Sequence, residues 1–121
     1  MRHLLSSFHY AFQGIGHAFR TQANLRIHTI IALAVIVIGL WLRLSQIEWA
    51  IVVVTMMIVF AAELFNTAIE ATLDRVSSEH HPLAKVAKDA AAGAVLIAAI
   101  GAVIVGLLIL GPKLLAWIAI R

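Results

Sequence analysis

The chain has 121 residues, 63% of them hydrophobic and 12% charged, with a mean hydropathy of +1.01, whereas soluble domains run at about 45–50% apolar and about 25% charged. That excess is more than one small core can bury, which excludes an ordinary water-soluble domain and leaves an all-α integral membrane protein, a single domain over residues 1–121, as the expectation. The formal charge of +3 rests on 9 scattered Lys and Arg residues with no dense basic cluster, which argues against a nucleic-acid partner, and the lack of cysteine removes disulfides and thiolate metal sites.

The start, MRHLLSSFHYAFQGIGHAFR, has no continuous apolar core and no small-residue cleavage pattern, so it does not read as a secretory signal. Leu4, Phe8, Phe12, Ile15 and Phe19 keep i+4 and i+3 steps and share one helical face. Ser6, His9, Gln13 and His17 fall opposite. An amphipathic helix over about 2–20 is expected, lying in the membrane interface with its apolar side down or packed on its own protein. Between Arg26 and Arg43 runs IHTIIALAVIVIGLWL, sixteen residues without formal charge. At about 1.5 Å per residue it falls slightly short of a hydrocarbon core of about 30 Å, a gap that snorkelling arginines close. A first span is placed at about 27–43.

Leu44-Ser45-Gln46 reads as a turn. WAIVVVTMMIVFAA then flows into ELFNTAIEATLD without a Gly or Pro break, predicting one helix from about Gln46 to Leu73, with the second span near 47–70 and the rest emerging from the membrane. RVSSEHHPL reads as a loop with Pro82 placed to start a helix. Residues 90–110 are 21 uncharged residues, the third span. Gly93, Gly101 and Gly106 within it suit close helix packing, and Gly111-Pro112 is expected to end it. Six Lys and Arg before span one and in the 71–89 loop, against three on the other side, predict a cytoplasmic N-terminus and loop in a multi-pass membrane protein.

Five of the six acids fall between residues 63 and 89. At about 100° per residue, Glu70 and Asp74 lie about 20° to either side of Glu63 and Asn66 about 60° away, forming one polar stripe at the membrane edge. Glu70 and Asp74 also fit an exposed helical end paired with Arg75 or Lys85. Glu63 follows fourteen uncharged residues, where an ionisable side chain normally has a function. Such a carboxylate can accept a proton from a substrate hydroxyl. Carboxylates a turn or two further on can hold Mg²⁺, which prefers oxygen ligands and completes its shell with substrate phosphates. Lys88 and Asp89 open span three from the same side, where lysine can steer phosphate. Together these parts suit phosphoryl transfer to a lipid alcohol. There is no GxxxxGK[ST] and no GxGxxG. His80-His81 lacks the partners of a zinc site and reads as loop histidines.

ELFNTAIEATLDR followed by SSEHHPLAKVAKDAAAGAVL resembles the prokaryotic diacylglycerol kinase family, whose hallmark is E-x-x-N-[ST]-[AS]-x-E-x-x-x-D. HPLAKVAKDAAAGAVL and Arg26-Ile27-His28 look closer to the undecaprenol kinase branch of Gram-positive bacteria. The resemblance covers about Ser7 to Leu110. It implies a homotrimer in the inner membrane of a prokaryote, of subunits with a surface helix and three spans, sharing sites between neighbours and using ATP and Mg²⁺. By motif position it implies that Glu63 is the catalytic base, Glu70 a metal ligand, and Asn66 and Asp74 supports, with Tyr10, Glu79, His80, His81, Lys88 and Asp89 around the nucleotide. The family usually carries a second metal-binding glutamate just before span one, in a pattern like N-E-x-x-[FM]-R. Here Thr21-Gln22-Ala23-Asn24-Leu25-Arg26 puts Gln22 at that place, offering a carbonyl oxygen without charge. The resemblance implies a lipid kinase acting on undecaprenol, with diacylglycerol as the alternative acceptor. A non-catalytic membrane protein whose acids form a cation site is the reading of another class.

Overall fold

A computed structural model describes residues 2–76 and 81–120. Four helices follow one another: α1 (Arg2–Thr21), α2 (Ala23–Trp41), α3 (Gln46–Val76) and α4 (Pro82–Ala119). Among the described residues there is no strand. α2, α3 and α4 are each long and apolar enough to cross a membrane. Leu4, Leu5, Phe8 and Phe12 of α1 are exposed, so the chain does not cover that stripe itself.

Each corner has a local cause. α1 and α2 are separated by Gln22 alone, whose backbone is extended at φ −103° and ψ 112°. Its N–H still donates to Ala18 O at 2.8 Å. Arg26, a turn into α2, reaches back and donates to Phe19 O (3.0 Å) and Arg20 O (3.2 Å). These carbonyls are among the four that a helix end leaves unpaired, and a cation there complements the helix dipole. Arg26 therefore holds the corner.

α2 ends in a Schellman motif: Leu44 N–H donates to Gly39 O at 3.1 Å and Arg43 N–H to Leu40 O at 3.3 Å. Arg43 takes the left-handed position at φ 55°. α3 starts at once with a capping box, in which Ser45 N–H donates to Glu48 Oε2 (2.6 Å) and Glu48 N–H to Ser45 Oγ (3.3 Å). The tight turn brings α3 back so closely that a Cβ on Gly39 would stand 2.9 Å from the Trp49 ring and 3.0 Å from Leu44 Cδ1. Gly39→Leu is expected to cost about 1–3 kcal/mol by overpacking, read as a lower unfolding midpoint in detergent micelles. Gly93, Gly101 and Gly106, in contrast, have open space where a Cβ would be. The expectation that they mark close packing is corrected within the chain: no neighbouring helix approaches within 4 Å of where their Cβ would stand.

α3 packs mainly along α4. Pro82 stands in the first turn of α4, as expected, and the His81 ring caps the helix by accepting from Leu83 N–H at 3.3 Å. The expected stop at Gly111-Pro112 is corrected, since α4 continues through Pro112 to Ala119. A proline ring disfavours a helix interior through the lost N–H, a clash with the carbonyl four residues back, and crowding of the preceding residue's Cβ. Gly111 has no Cβ, and membrane helices tolerate the lost bond. Tertiary contacts then hold the extension: Lys113 Nζ lies 3.2 Å from a Glu48 carboxylate oxygen, and Trp117 meets Trp41 edge to face at 4.6 Å.

Candidate active site

The core is small and its largest buried polar patch sits on α3. Glu63, Asn66 and Thr67 are buried, Glu63 to 1% exposure, whereas most large apolar side chains of α2 and α4 are exposed. A soluble fold would invert this arrangement, since buried charge is costly unless something partners it. Two consecutive turns of α3 thus keep their polar side inside while apolar side chains such as Phe65 are exposed.

The patch is built by hydrogen bonds from three directions. Thr67 Oγ1 donates to the Glu63 backbone carbonyl at 2.8 Å. Asn66 Nδ2 donates to Glu70 Oε1 at 3.1 Å, and Gln22 Nε2 donates to Glu70 Oε2, also at 3.1 Å. Glu70 is therefore clamped by an amide from its own helix and one from the α1–α2 corner. The corner that Arg26 fixes is what delivers Gln22. His28 Nε2 of α2 stands 3.2 Å from Glu63 Oε1, close but off the line of a hydrogen bond, so that Oε1 and Asn66 Oδ1 are buried without a hydrogen-bond partner.

The stripe expected on α3 is thus resolved into three directions. Glu63 turns to α2, Glu70 to the corner, and Asp74 to α4, where it forms an ion pair with Lys88. Asp89 pairs with Lys85, one turn away on its own helix. His81 caps α4 beside them. Tyr10 is exposed on α1, its ring edge-on to His9 at 5.9 Å. Glu79 and His80 lie outside the described residues. The sequence reading did not single out His28 as a site residue. The available signal was an ionisable side chain inside the first uncharged run, which rarely occurs without a partner.

Among the described residues no three His, Asp or Glu side chains cluster as a metal site. A Mg²⁺ shell does not require three, because one or two carboxylates suffice when substrate phosphates and water supply the rest. Glu70 is such a carboxylate, and the unpartnered Asn66 Oδ1 is an oxygen donor one turn away. The residues fit a hard cation shared with a phosphate.

Known proteins resemble the chain over most of its length. The family model for prokaryotic diacylglycerol kinase matches residues 9–110. Over 114 residues the chain is 51% identical to a diacylglycerol kinase of Synechocystis sp., covering 93% of this chain and 65% of that one. It therefore spans 65% of that relative's length. Over 114 residues it is 46% identical to the undecaprenol kinase of Bacillus subtilis, covering 94% and 93% of the two chains. Over 95 residues it is 39% identical to the diacylglycerol kinase of Escherichia coli, covering 78% of each. Helices that can span a membrane, a buried acid and these relatives define a membrane lipid kinase. The chain belongs to the prokaryotic diacylglycerol kinase family.

Proposed function

We propose that the chain transfers the γ-phosphoryl group of ATP to the hydroxyl of a membrane lipid alcohol, undecaprenol first, with Glu63 as the base. The observation that carries this reading is a carboxyl group 1% exposed, with one oxygen free of hydrogen bonds, on a 31-residue helix longer than a membrane span needs. Glu63 takes the hydroxyl proton as the lipid oxygen bonds to the γ-phosphorus. The bond from that phosphorus to the bridging oxygen of ADP breaks, ADP departs, and the proton passes from Glu63 to water. Asn66 and Glu70, with the Gln22 carbonyl oxygen, would hold Mg²⁺. When bound, the ion neutralises phosphate charge. Asp74, Lys88 and Asp89 at the facing ends of α3 and α4, with His81, Glu79, His80 and Tyr10, surround the nucleotide.

Undecaprenol is supported by the relative from Bacillus subtilis, which matches nearly end to end. Diacylglycerol is the second reading, supported by the 51% identity to the Synechocystis protein. A homotrimer accounts for the exposed apolar side chains of α2 and α4, and α1 lies in the interface with Leu4, Phe8 and Phe12 in lipid. Six of 9 basic residues on one side support a cytoplasmic N-terminus. The test is transfer of labelled γ-phosphate from ATP to each lipid at equal mole fraction in micelles. A higher kcat/KM for undecaprenol is expected; preference for diacylglycerol reverses the order, and labelling of neither overturns the proposal.

A further inference from the structure

An apolar cavity of about 400 Å³ lies between α2, α3 and α4. Val35, Val52, Val59, Val103 and Gly106 are among its walls, and His28 lines it while Glu63 does not. Its other polar wall residue, Thr55, already donates to Ile51 O at 2.7 Å. The His28 side chain is 21% exposed and that of Glu63 2%, with Nε2 and Oε1 3.2 Å apart. His28 thus stands between the cavity and the carboxyl group. Among the described residues it is the ion-pair partner of Glu63. Glu63 Oε1 has no hydrogen bond to hold it otherwise.

We propose that His28 is a positioning residue for phosphoryl transfer: its imidazole steadies the Glu63 carboxyl from the α2 side and fixes the orientation in which that group meets the acceptor hydroxyl. This rests on the reading of Glu63 as base. The side chain can do this because a small rotation turns the 3.2 Å approach into a hydrogen bond. It can do so without touching the nucleotide, which the residues of the α3–α4 ends surround. Misplacing a reacting group by about 1 Å costs on the order of 10²-fold in rate.

The test compares His28→Phe, which keeps a ring but has no nitrogen, with His28→Gln, whose amide reaches a similar point. In micelle assays of lipid phosphorylation, His28→Phe is expected to lower kcat by about 10–100-fold, with the KM for ATP within about twofold of wild type. His28→Gln is expected to regain part of the loss. In a Glu63→Gln background, His28→Phe is expected to add little further loss, since both act on one step. Wild-type kcat in His28→Phe, equal impairment of the Phe and Gln variants, or an undiminished additional loss in the Glu63→Gln background overturns the proposal. If His28→Phe does not fold, His28→Asn, shorter by one methylene, replaces it against His28→Gln with the same readings. Full activity of Glu63→Gln instead defeats the base assignment itself, so the two failures are distinct.

Discussion

Glu63→Gln is expected to lower lipid phosphorylation by about 10²–10⁴-fold, the usual contribution of a positioned general base, while the KM for ATP stays near wild type. The substitution nearly keeps the volume of a side chain that is 1% exposed and removes its charge and its capacity to take a proton. It also relieves a buried carboxyl whose Oε1 has no hydrogen bond, so the unfolding midpoint is expected to hold or rise. Falling turnover with undiminished stability separates a chemical role from a structural one. Turnover within tenfold of wild type removes Glu63 as the base. Glu63→Asp, which keeps the acid but withdraws it by one methylene, is expected to fall between the two.

The second large effect concerns Gln22→Glu. Gln22 now donates an amide hydrogen to Glu70 Oε2 at 3.1 Å. A carboxylate in its place has no hydrogen to give and brings a like charge to the same distance range. At an effective dielectric near 20, two such charges about 4 Å apart repel by about 4 kcal/mol. Without divalent cation the variant is expected to melt below wild type. With Mg²⁺ the order is expected to reverse, because a paired carboxylate site binds a hard cation more tightly than a carboxylate with an amide. Two measurements check this: the shift of the unfolding midpoint on adding Mg²⁺, and the Mg²⁺ concentration giving half-maximal activity. An unchanged metal requirement rejects the idea that the missing charge at Gln22 weakens Mg²⁺ binding.

The helices were legible because their signals are local. Uncharged runs of sufficient length marked α2, α3 and α4, the 4-8-12-15-19 series marked α1, and Pro82 marked a start. Glu63 stood out as an acid at the end of such a run, and its burial follows. Partnership across helices was not legible. Nothing near Glu70 in the sequence points to Gln22, 48 residues earlier. His28 was hidden because the run around it reads as hydrocarbon-facing. Local grammar also misled at Gly111-Pro112, where Glu48 with Lys113 and Trp41 with Trp117 carry α4 onward. The glycines of α4 misled for a related reason: small size permits close approach without requiring it, and it is at Gly39 that a Cβ would collide with Trp49. The reciprocal Ser45 and Glu48 bonds that start α3 were not read from the turn at Leu44-Ser45-Gln46, although Ser and Glu three residues apart are the signature of a capping box.

The two ion pairs joining α3 to α4 have a mechanical meaning. Glu48 meets Lys113 near one end and Asp74 meets Lys88 near the other. Each pair, partly exposed, is worth about 1 kcal/mol or less. Yet the stretches they enclose are almost equal, each roughly 38 Å at about 1.5 Å per residue. The antiparallel helices are thereby riveted at matched points and cannot slide along each other by a turn without breaking both. Such a strut behaves as a gauge rod, setting the register at which the Glu63 turn of α3 stands against α4.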